Sequence, residues 1–281
     1  MSEARVWLIT GTTSGFGRAI AEAALGQGDV VVAAVRRPEA LGDLADRVSA
    51  IRLDVTDVAA VPAAVEEVLD EHGRIDVLVN NAGRGHLGAV EETTDDELRS
   101  LMDLHFFGPA ALTRQVLPHM RERGSGSIVQ MSSMGGRTTF PGVGAYSATK
   151  YALEGWSEAL AAEVAPFGIS VVVVEPGAFR TGFNGPGAIG TSAPLPAYAE
   201  QMTQLRETFE ADDGQQPGDP AKAAAAIVRA IAADEPPLHL ALGEDALNGI
   251  AATLDRQRSE LEDWAELTRS TAVDEVDATA R

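Results

Sequence analysis

The chain has 281 residues, 45% of them hydrophobic and 23% charged, a composition that excludes wholesale disorder and fibrous repeats. A formal net charge of −20 repels nucleic-acid phosphate and anionic membrane, so neither is an expected partner. There is no cysteine, which removes disulfides, thiol nucleophiles and cysteine-ligated metal together.

Short β-branched runs alternate with longer Ala- and Leu-rich stretches. In chain order, 5–10 reads as a strand, 18–27 as a helix, 29–35 as a strand, 39–47 as a helix and 49–53 as a strand. Then come a helix over 58–72, a strand over 75–80, one long helix over 94–123, and a strand over 127–132. A helix over 145–165, a strand over 169–175 and a helix over 220–233 complete the series, the last opened by Asp219-Pro220 as N-cap and first-turn proline. Several strands are apolar at consecutive positions, as strands covered on both faces are. The pattern is that of one α/β domain with a parallel sheet between helices. It spans 1–242 and includes a Gly- and Pro-rich insertion at 182–216, where Phe183, Ile189, Leu195, Tyr198, Met202 and Phe209 suggest a lid over a cleft. Residues 243–281 read as an acidic helical extension (Ile250, Leu254, Leu261, Trp264) that frays over 274–281. No apolar run reaches the roughly 18 residues that span a bilayer. The opening Met1-Ser2-Glu3-Ala4-Arg5 has no signal-peptide layout, so a cytoplasmic location is expected.

Between the first strand and the first helix lies Thr10-Gly11-Thr12-Thr13-Ser14-Gly15-Phe16-Gly17. Glycines allow positive φ and close approach of a ligand, and the helix N-terminus beyond them offers free N–H groups to a pyrophosphate. In this setting the turn points to a dinucleotide, although its GxxxGxG spacing is neither GxGxxG nor GxxxxGK. At the end of the second strand a carboxylate would bind the 2′-hydroxyl of NAD(H) and repel NADP(H). The chain instead has Val35-Arg36-Arg37, with no carboxylate before Glu39. Guanidinium suits a 2′-phosphate, so NADP(H) is the expected cofactor.

Lysine is scarce: Lys150 and Lys222 are the only two, and Tyr146-Ser147-Ala148-Thr149-Lys150 sets one of them four residues after a tyrosine. Such a pair shares one helix face. Free tyrosine has a pKa of about 10, too high for a base at neutral pH. An ammonium about 4 Å away at an effective dielectric of about 20 would favour phenolate by up to ~4 kcal/mol, about 3 pKa units. Such a phenol could exchange a proton with a carbonyl or alcohol oxygen. Ser133 ends the strand over 127–132, on the sheet edge where this architecture places its chemistry. GxSxG is absent, and no His/Asp/Glu group has metal-ligand spacing, so no metal is expected.

These residues together resemble the short-chain dehydrogenase/reductase family over residues 5–242, through Thr10–Gly17, Asp54-Val55, Asn80-Asn81-Ala82-Gly83, Ser133, Tyr146/Lys150 and Pro176-Gly177 with Thr181. The stretches Tyr151-Ala152-Leu153-Glu154-Gly155 and Pro176-Gly177-Ala178-Phe179-Arg180-Thr181 look most like the branch with 17β-hydroxysteroid and retinol dehydrogenases. The resemblance implies a Rossmann-type doubly wound sheet of about seven strands. By it, Gly11, Thr13, Ser14, Gly15, Phe16 and Gly17 cradle the cofactor, and Arg36 and Arg37 stand at its ribose end. Asp54 would meet the adenine amino group and Val55 supply backbone. Asn81, Ala82 and Gly83 would line the adenosine ribose and steady the central strand. Tyr146 is the implied acid/base, Ser133 orients the substrate carbonyl, and Lys150 binds the nicotinamide ribose. Pro176, Gly177 and Thr181 would hold the nicotinamide. Where the family usually has Asn on the helix before the fifth strand, this chain has His105, which could take that residue's place in a proton relay.

The expected activity is an NADP(H)-dependent exchange of hydride with a ketone, aldehyde or secondary alcohol. A nucleotide-binding sensor would typically lack the Tyr or Lys, and a lyase or dehalogenase on this fold would have Arg for Lys150 and lack the glycines. Phe140, Val143, Phe183 and Leu195 suggest a partly apolar substrate bounded by 134–143, 84–87 and the lid. By the same resemblance, a homodimer or homotetramer forms through the helices at 94–123 and 145–165.

Overall fold

The computed structural model describes residues 4–185 and 188–273; the fraying expected over 274–281 lies outside them. The first half runs β1 (Val6–Thr10), α1 (Gly15–Gly26), β2 (Val30–Val35), β3 (Ser49–Arg52), α2 (Val61–His72), β4 (Val77–Asn80), β5 (Gly85–Leu87), α3 (Asp95–Met102) and α4 (Gly108–Arg123). The second runs β6 (Gly126–Met131), α5 (Gly144–Val164), β7 (Ile169–Pro176), β8 (Ile189–Thr191), α6 (Ala199–Ala211), α7 (Pro220–Ile231), β9 (His239–Leu242), α8 (Glu244–Asp263) and α9 (Ala265–Arg269). Seven strands form one parallel sheet in the order β3-β2-β1-β4-β6-β7-β9. The order reverses beside β1, which opens a crevice at the carboxyl ends of β1 and β4.

Alternation along β1 shows how both faces are filled. Trp7 and Ile9 pack with Ile20 and Ala24 of α1 and Ala224 and Ile227 of α7. Val6 and Leu8 face the other way, onto Val65 of α2, Val116 of α4 and Leu160 of α5. Two apolar layers against one sheet explain why its strands are apolar at consecutive positions.

The structure differs from the sequence reading in three respects. The helix expected over 39–47 is a 3-10 segment, Pro38–Leu44, broken where Gly42 takes φ 59. The single helix expected over 94–123 is two helices joined by a π-helical turn, Asp103–Phe107. Its start is as the sequence suggests, with Thr94 and Glu97 forming a capping box. The third difference is the additional strands. β9 pairs with β7 as the seventh strand of the sheet, while β5 and β8 form a separate parallel ribbon that ties residues 189–191 to 85–87. Within the 182–216 insertion the scattered apolar residues belong partly to α6, where Met202 is buried. The Asp219 cap forms as expected, accepting from Ala221 N at 2.8 Å. Among the described residues no helix is long and apolar enough to cross a membrane.

Candidate active site

At the carboxyl edge of the sheet a cleft of about 940 Å³ runs past the turn after β1, the end of β2, the turns after β4 and β6, the first turns of α5 and the turn after β7. Of the expected cofactor residues, Gly11, Thr13, Ser14, Gly15 and Phe16, Arg36 and Arg37, Asp54 and Val55, Asn81, Ala82 and Gly83, and Pro176, Gly177 and Thr181 all line it. Gly17 does not line it; its task is packing. A Cβ there would run into the Gly11 carbonyl oxygen and come within 2.5 Å of Asn81 Nδ2, so only glycine lets α1 start this close to the turn. Gly11 has φ +71, and a Cβ on it would lie 3.0 Å from Ala82 Cα. The Asn81 amide closes the turn from the other side, donating to Thr10 O at 2.8 Å and Gly11 O at 3.1 Å. Thr10 Oγ1 accepts from Asn81 N and Ala82 N, both at 2.9 Å, which joins β1 to β4 beneath the turn.

Asp54 accepts from the hydroxyl and the N–H of Thr56 at 2.8 and 3.0 Å, and this turn presents it to the cleft. Arg36 and Arg37 are exposed. Glu39, the first carboxylate after them, pairs instead with Arg52 at 3.6 Å. Pro176 ends β7, and the following loop is pinned by Ala178 N, which donates to Asp245 Oδ2 at 2.7 Å. Asp245 stands in the first turn of α8, so the C-terminal extension helps shape this end of the cleft, a part that local sequence patterns did not disclose.

Ser133, Tyr146 and Lys150 converge in the same cleft. Ser133 follows β6 and its hydroxyl accepts from Gly135 N at 3.0 Å, while Tyr146 and Lys150 lie one turn apart on α5. Lys150 is 5% exposed and donates to Met131 O at 2.7 Å, its ammonium 5.7 Å from the centre of the Tyr146 ring. Burial pushes the lysine down to about 8, with the Glu154 charge opposing. The phenol moves opposite to expectation: burial pushes Tyr146 up to about 12, with the Ser133 hydroxyl pulling it down. In this buried site, loss of hydration outweighs the attraction of the ammonium for a phenolate. Tyr146 is therefore held as an acid.

His105 sits in the π-helical turn, 1% exposed. Its Nε2 accepts from Arg84 N at 3.1 Å, so Nδ1 carries the proton and donates to Thr149 Oγ1 at 2.9 Å. Thr149 passes the chain on to the Tyr146 carbonyl at 2.7 Å. Burial, then the charges of Lys150 and Arg84, hold the ring neutral. Both nitrogens are engaged, one by a backbone N–H and the other by the Thr149 hydroxyl. The ring braces α5 against the turn after β4, and it meets the Tyr146 ring at 5.5 Å. Phe183 also meets that ring, at 6.1 Å.

Toward the substrate end, Leu87, Phe140, Val143, Phe183, Ile189 and Phe209 line the cleft. Leu195 does not, because its N–H is tied to Glu92 Oε1 at 2.8 Å outside the cleft.

The short chain dehydrogenase family model matches residues 5–188. The chain belongs to the short-chain dehydrogenase/reductase family. A short-chain dehydrogenase from Streptomyces avermitilis is 55% identical, with TM-score 0.90, over 96% of this chain and all of that one (100%). The 3-ketodihydrosphingosine reductase of Bacteroides thetaiotaomicron is 39% identical over 85% of this chain and 88% of its own length. Cofactors differ among solved relatives. ElxO, 25% identical with TM-score 0.72 over 88% of this chain and 100% of its own, has NADP bound. A Burkholderia phymatum protein, 26% identical with TM-score 0.78 over 98% of each chain, is in complex with NAD. The chain is thus an oxidoreductase of this family.

Proposed function

We propose that the protein reduces a partly apolar ketone or aldehyde with NADPH, with Tyr146 as the proton donor. The observation that carries this reading is the single cleft that joins Arg36 and Arg37, through the glycine turn, to Ser133, Tyr146 and Lys150. The residues fit the cofactor. Space left by the absent Cβ of Gly11, free N–H groups at the start of α1 and two cationic side chains suit phosphates. Bound NADPH would supply the hydride. Ser133 and Tyr146 direct their hydroxyls at the substrate oxygen, and Tyr146 gives up its proton as that oxygen gains negative charge. A phenol pushed up to about 12 stays protonated until then. Lys150 would stabilise the phenolate left behind and help hold the nicotinamide ribose. His105 positions α5, and Phe183 and Phe140 give the substrate side its apolar character.

Arg36 and Arg37 favour the 2′-phosphorylated cofactor, and the relative named as a reductase of a keto compound agrees with carbonyl reduction. Residues 182–216 serve as the lid. We also propose a cytoplasmic homodimer or homotetramer joined through the helical stretches at 94–123 and 145–165, where Phe107 and Tyr151 are exposed. Light scattering of the purified protein reads the assembly. Nicotinamide absorbance during incubation with NADPH and a panel of ketones tests the chemistry, and turnover abolished by Tyr146→Phe is expected. Tight NADPH binding without oxidation across the panel would make the protein a sensor.

A further inference from the structure

Behind the wall of the cleft, and outside it, lone-pair groups from three elements converge. Nδ1 of His239 on β9 lies 2.9 Å from Glu175 Oε1 of β7 and 3.4 Å from Glu154 Oε2 of α5. The ligand atoms of all three lie within 4.8 Å of one another. Tetrahedral bonds of about 2.0–2.1 Å to nitrogen and oxygen set ligand atoms about 3.3 Å apart, and the two measured edges bracket that value. Glu154 and Glu175 are 3% and 2% exposed, and neither oxygen of Glu154 has a hydrogen-bond partner. A buried carboxylate left so is strongly disfavoured unless a cation is near. Arg137 stands among these groups, its Nη1 3.0 Å from both Glu175 Oε1 and His239 Nδ1. That arrangement suits neither tautomer of a neutral imidazole. With a hydrogen on Nδ1, the ring faces the Arg137 N–H groups donor to donor. Without one, it faces two carboxylates acceptor to acceptor.

We propose that Glu154, Glu175 and His239 form a site for one divalent transition-metal ion of the zinc type, which binds when the Arg137 guanidinium swings out toward solvent. Three lone pairs then point at a single cation, and two carboxylates with a neutral imidazole balance its charge. The imidazole selects zinc, cobalt or nickel over calcium and magnesium, which prefer oxygen ligands. Glu158 supports the ring from behind. Its Oε1 is 3.4 Å from His239 Nε2, so a hydrogen on Nε2 meets a carboxylate and Nδ1 keeps its lone pair for the ion. The side chain of Arg137 is 23% exposed, which gives the guanidinium a way out. The ligands tie α5, one turn beyond Lys150, to β7 and β9. A Cβ on Gly136 would lie 2.9 Å from Glu154 Oε1, so the site also abuts the turn that carries Ser133. The ion would act as a staple behind the catalytic wall. No ligand spacing in the sequence announces it, because each ligand comes from a different element.

The test is a titration of the full chain, without a histidine tag and stripped by a chelator, with Co2+, whose visible d–d bands report imidazole and carboxylate ligation. One saturable Co2+ per chain, displaced by Zn2+, is expected. Zn2+ should also raise the melting temperature of the wild-type protein. His239→Gln and Glu154→Gln should each abolish the bands and the thermal gain. Glu158→Gln, which removes only the support of the ring, should weaken binding about 10- to 100-fold. Arg137→Gln should tighten binding about tenfold or more, because it removes the cation that competes for Glu175. Absence of cobalt bands in the wild type overturns the proposal. So do bands that survive both His239→Gln and Glu154→Gln, which would put the ion elsewhere on this acidic chain. An unchanged affinity in Arg137→Gln overturns it as well. If His239→Gln or Glu154→Gln fails to fold, the wild-type, Glu158→Gln and Arg137→Gln titrations decide. None of these readouts needs turnover, so the site stands or falls separately from the proposed reduction.

Discussion

The two ends of the cleft are built on opposite electrostatic terms. At the nucleotide end, Arg36 and Arg37 are exposed at the end of β2, and Asp54 sits half-buried in a turn of its own. On the proposed function, recognition there would use solvated charge and backbone. At the catalytic end, Lys150 and His105 are 5% and 1% exposed, and Glu154 and Glu175, behind the cleft wall, are 3% and 2% exposed. Burial there pushes Lys150 and His105 down and Tyr146 and Glu154 up. A solvated end should lose function by degrees when changed. A buried end holds ionisations that the fold itself disfavours, so its changes should alter activity and stability together.

The largest expected effect is at Tyr146. Tyr146→Phe removes the transferable proton and keeps the ring that packs on His105 and Phe183, so turnover should fall about 10³-fold with little change in melting temperature. A folded variant with wild-type turnover would end the acid–base reading. Lys150→Met should also abolish turnover, yet raise stability. The lysine falls from 10.5 to about 8 on folding, a penalty of about 3 kcal/mol at neutral pH. Between pH 8 and 10.5 the unfolded chain binds the extra proton, so stability contributed by this group rises with pH in that window. Above pH 10 the raised Tyr146 acts in the opposite sense, because the unfolded phenol then loses its proton first. Denaturant titrations at pH 8 and pH 10 should therefore show the gain in wild-type protein and not in Lys150→Met.

At the solvated end, replacing Arg36 and Arg37 together by Ser should raise KM for NADPH by about 10- to 100-fold and leave kcat and KM for NADH nearly unchanged. Equal losses with both cofactors would remove the 2′-phosphate role. The smallest effect is expected at His105. Its ring is held neutral, so the unfolded chain binds the proton first and stability falls as pH drops below 6.5. His105→Asn should flatten that acid slope with less than about a tenfold change in rate. An unchanged acid slope would show that another group governs acid sensitivity.

The nucleotide end was readable residue by residue because its parts are local. The turn after β1 announces itself by glycine spacing, and the two arginines by their place at the end of a strand. Ser133 and the Tyr146/Lys150 pair were legible for the same reason, a strand end and a single helical turn. What escaped reading depends on segments far apart in the chain. Asp245 reaches Ala178 from 67 residues away. The acidic group behind Lys150 joins four elements, although its central member, Glu154, lies in the quoted stretch after Tyr151 and repeats the four-residue spacing of Tyr146 and Lys150. The π-helical turn at 103–107 was invisible because an extra residue in a turn leaves the helical pattern on either side intact.

Periodicity, turn chemistry and spacing in the sequence determined an α/β domain, its strand alternation, the glycine turn and the Tyr146/Lys150 pair, while the family resemblance named the other groups placed in one cleft. Only tertiary structure decided the protonation of those groups. The sign of the Tyr146 shift shows why: an ammonium four residues away favours phenolate, but burial by packed elements favours phenol more strongly. The rings packed on Tyr146 are His105, from the turn before α4, and Phe183, from the loop after β7, neither of them a sequence neighbour.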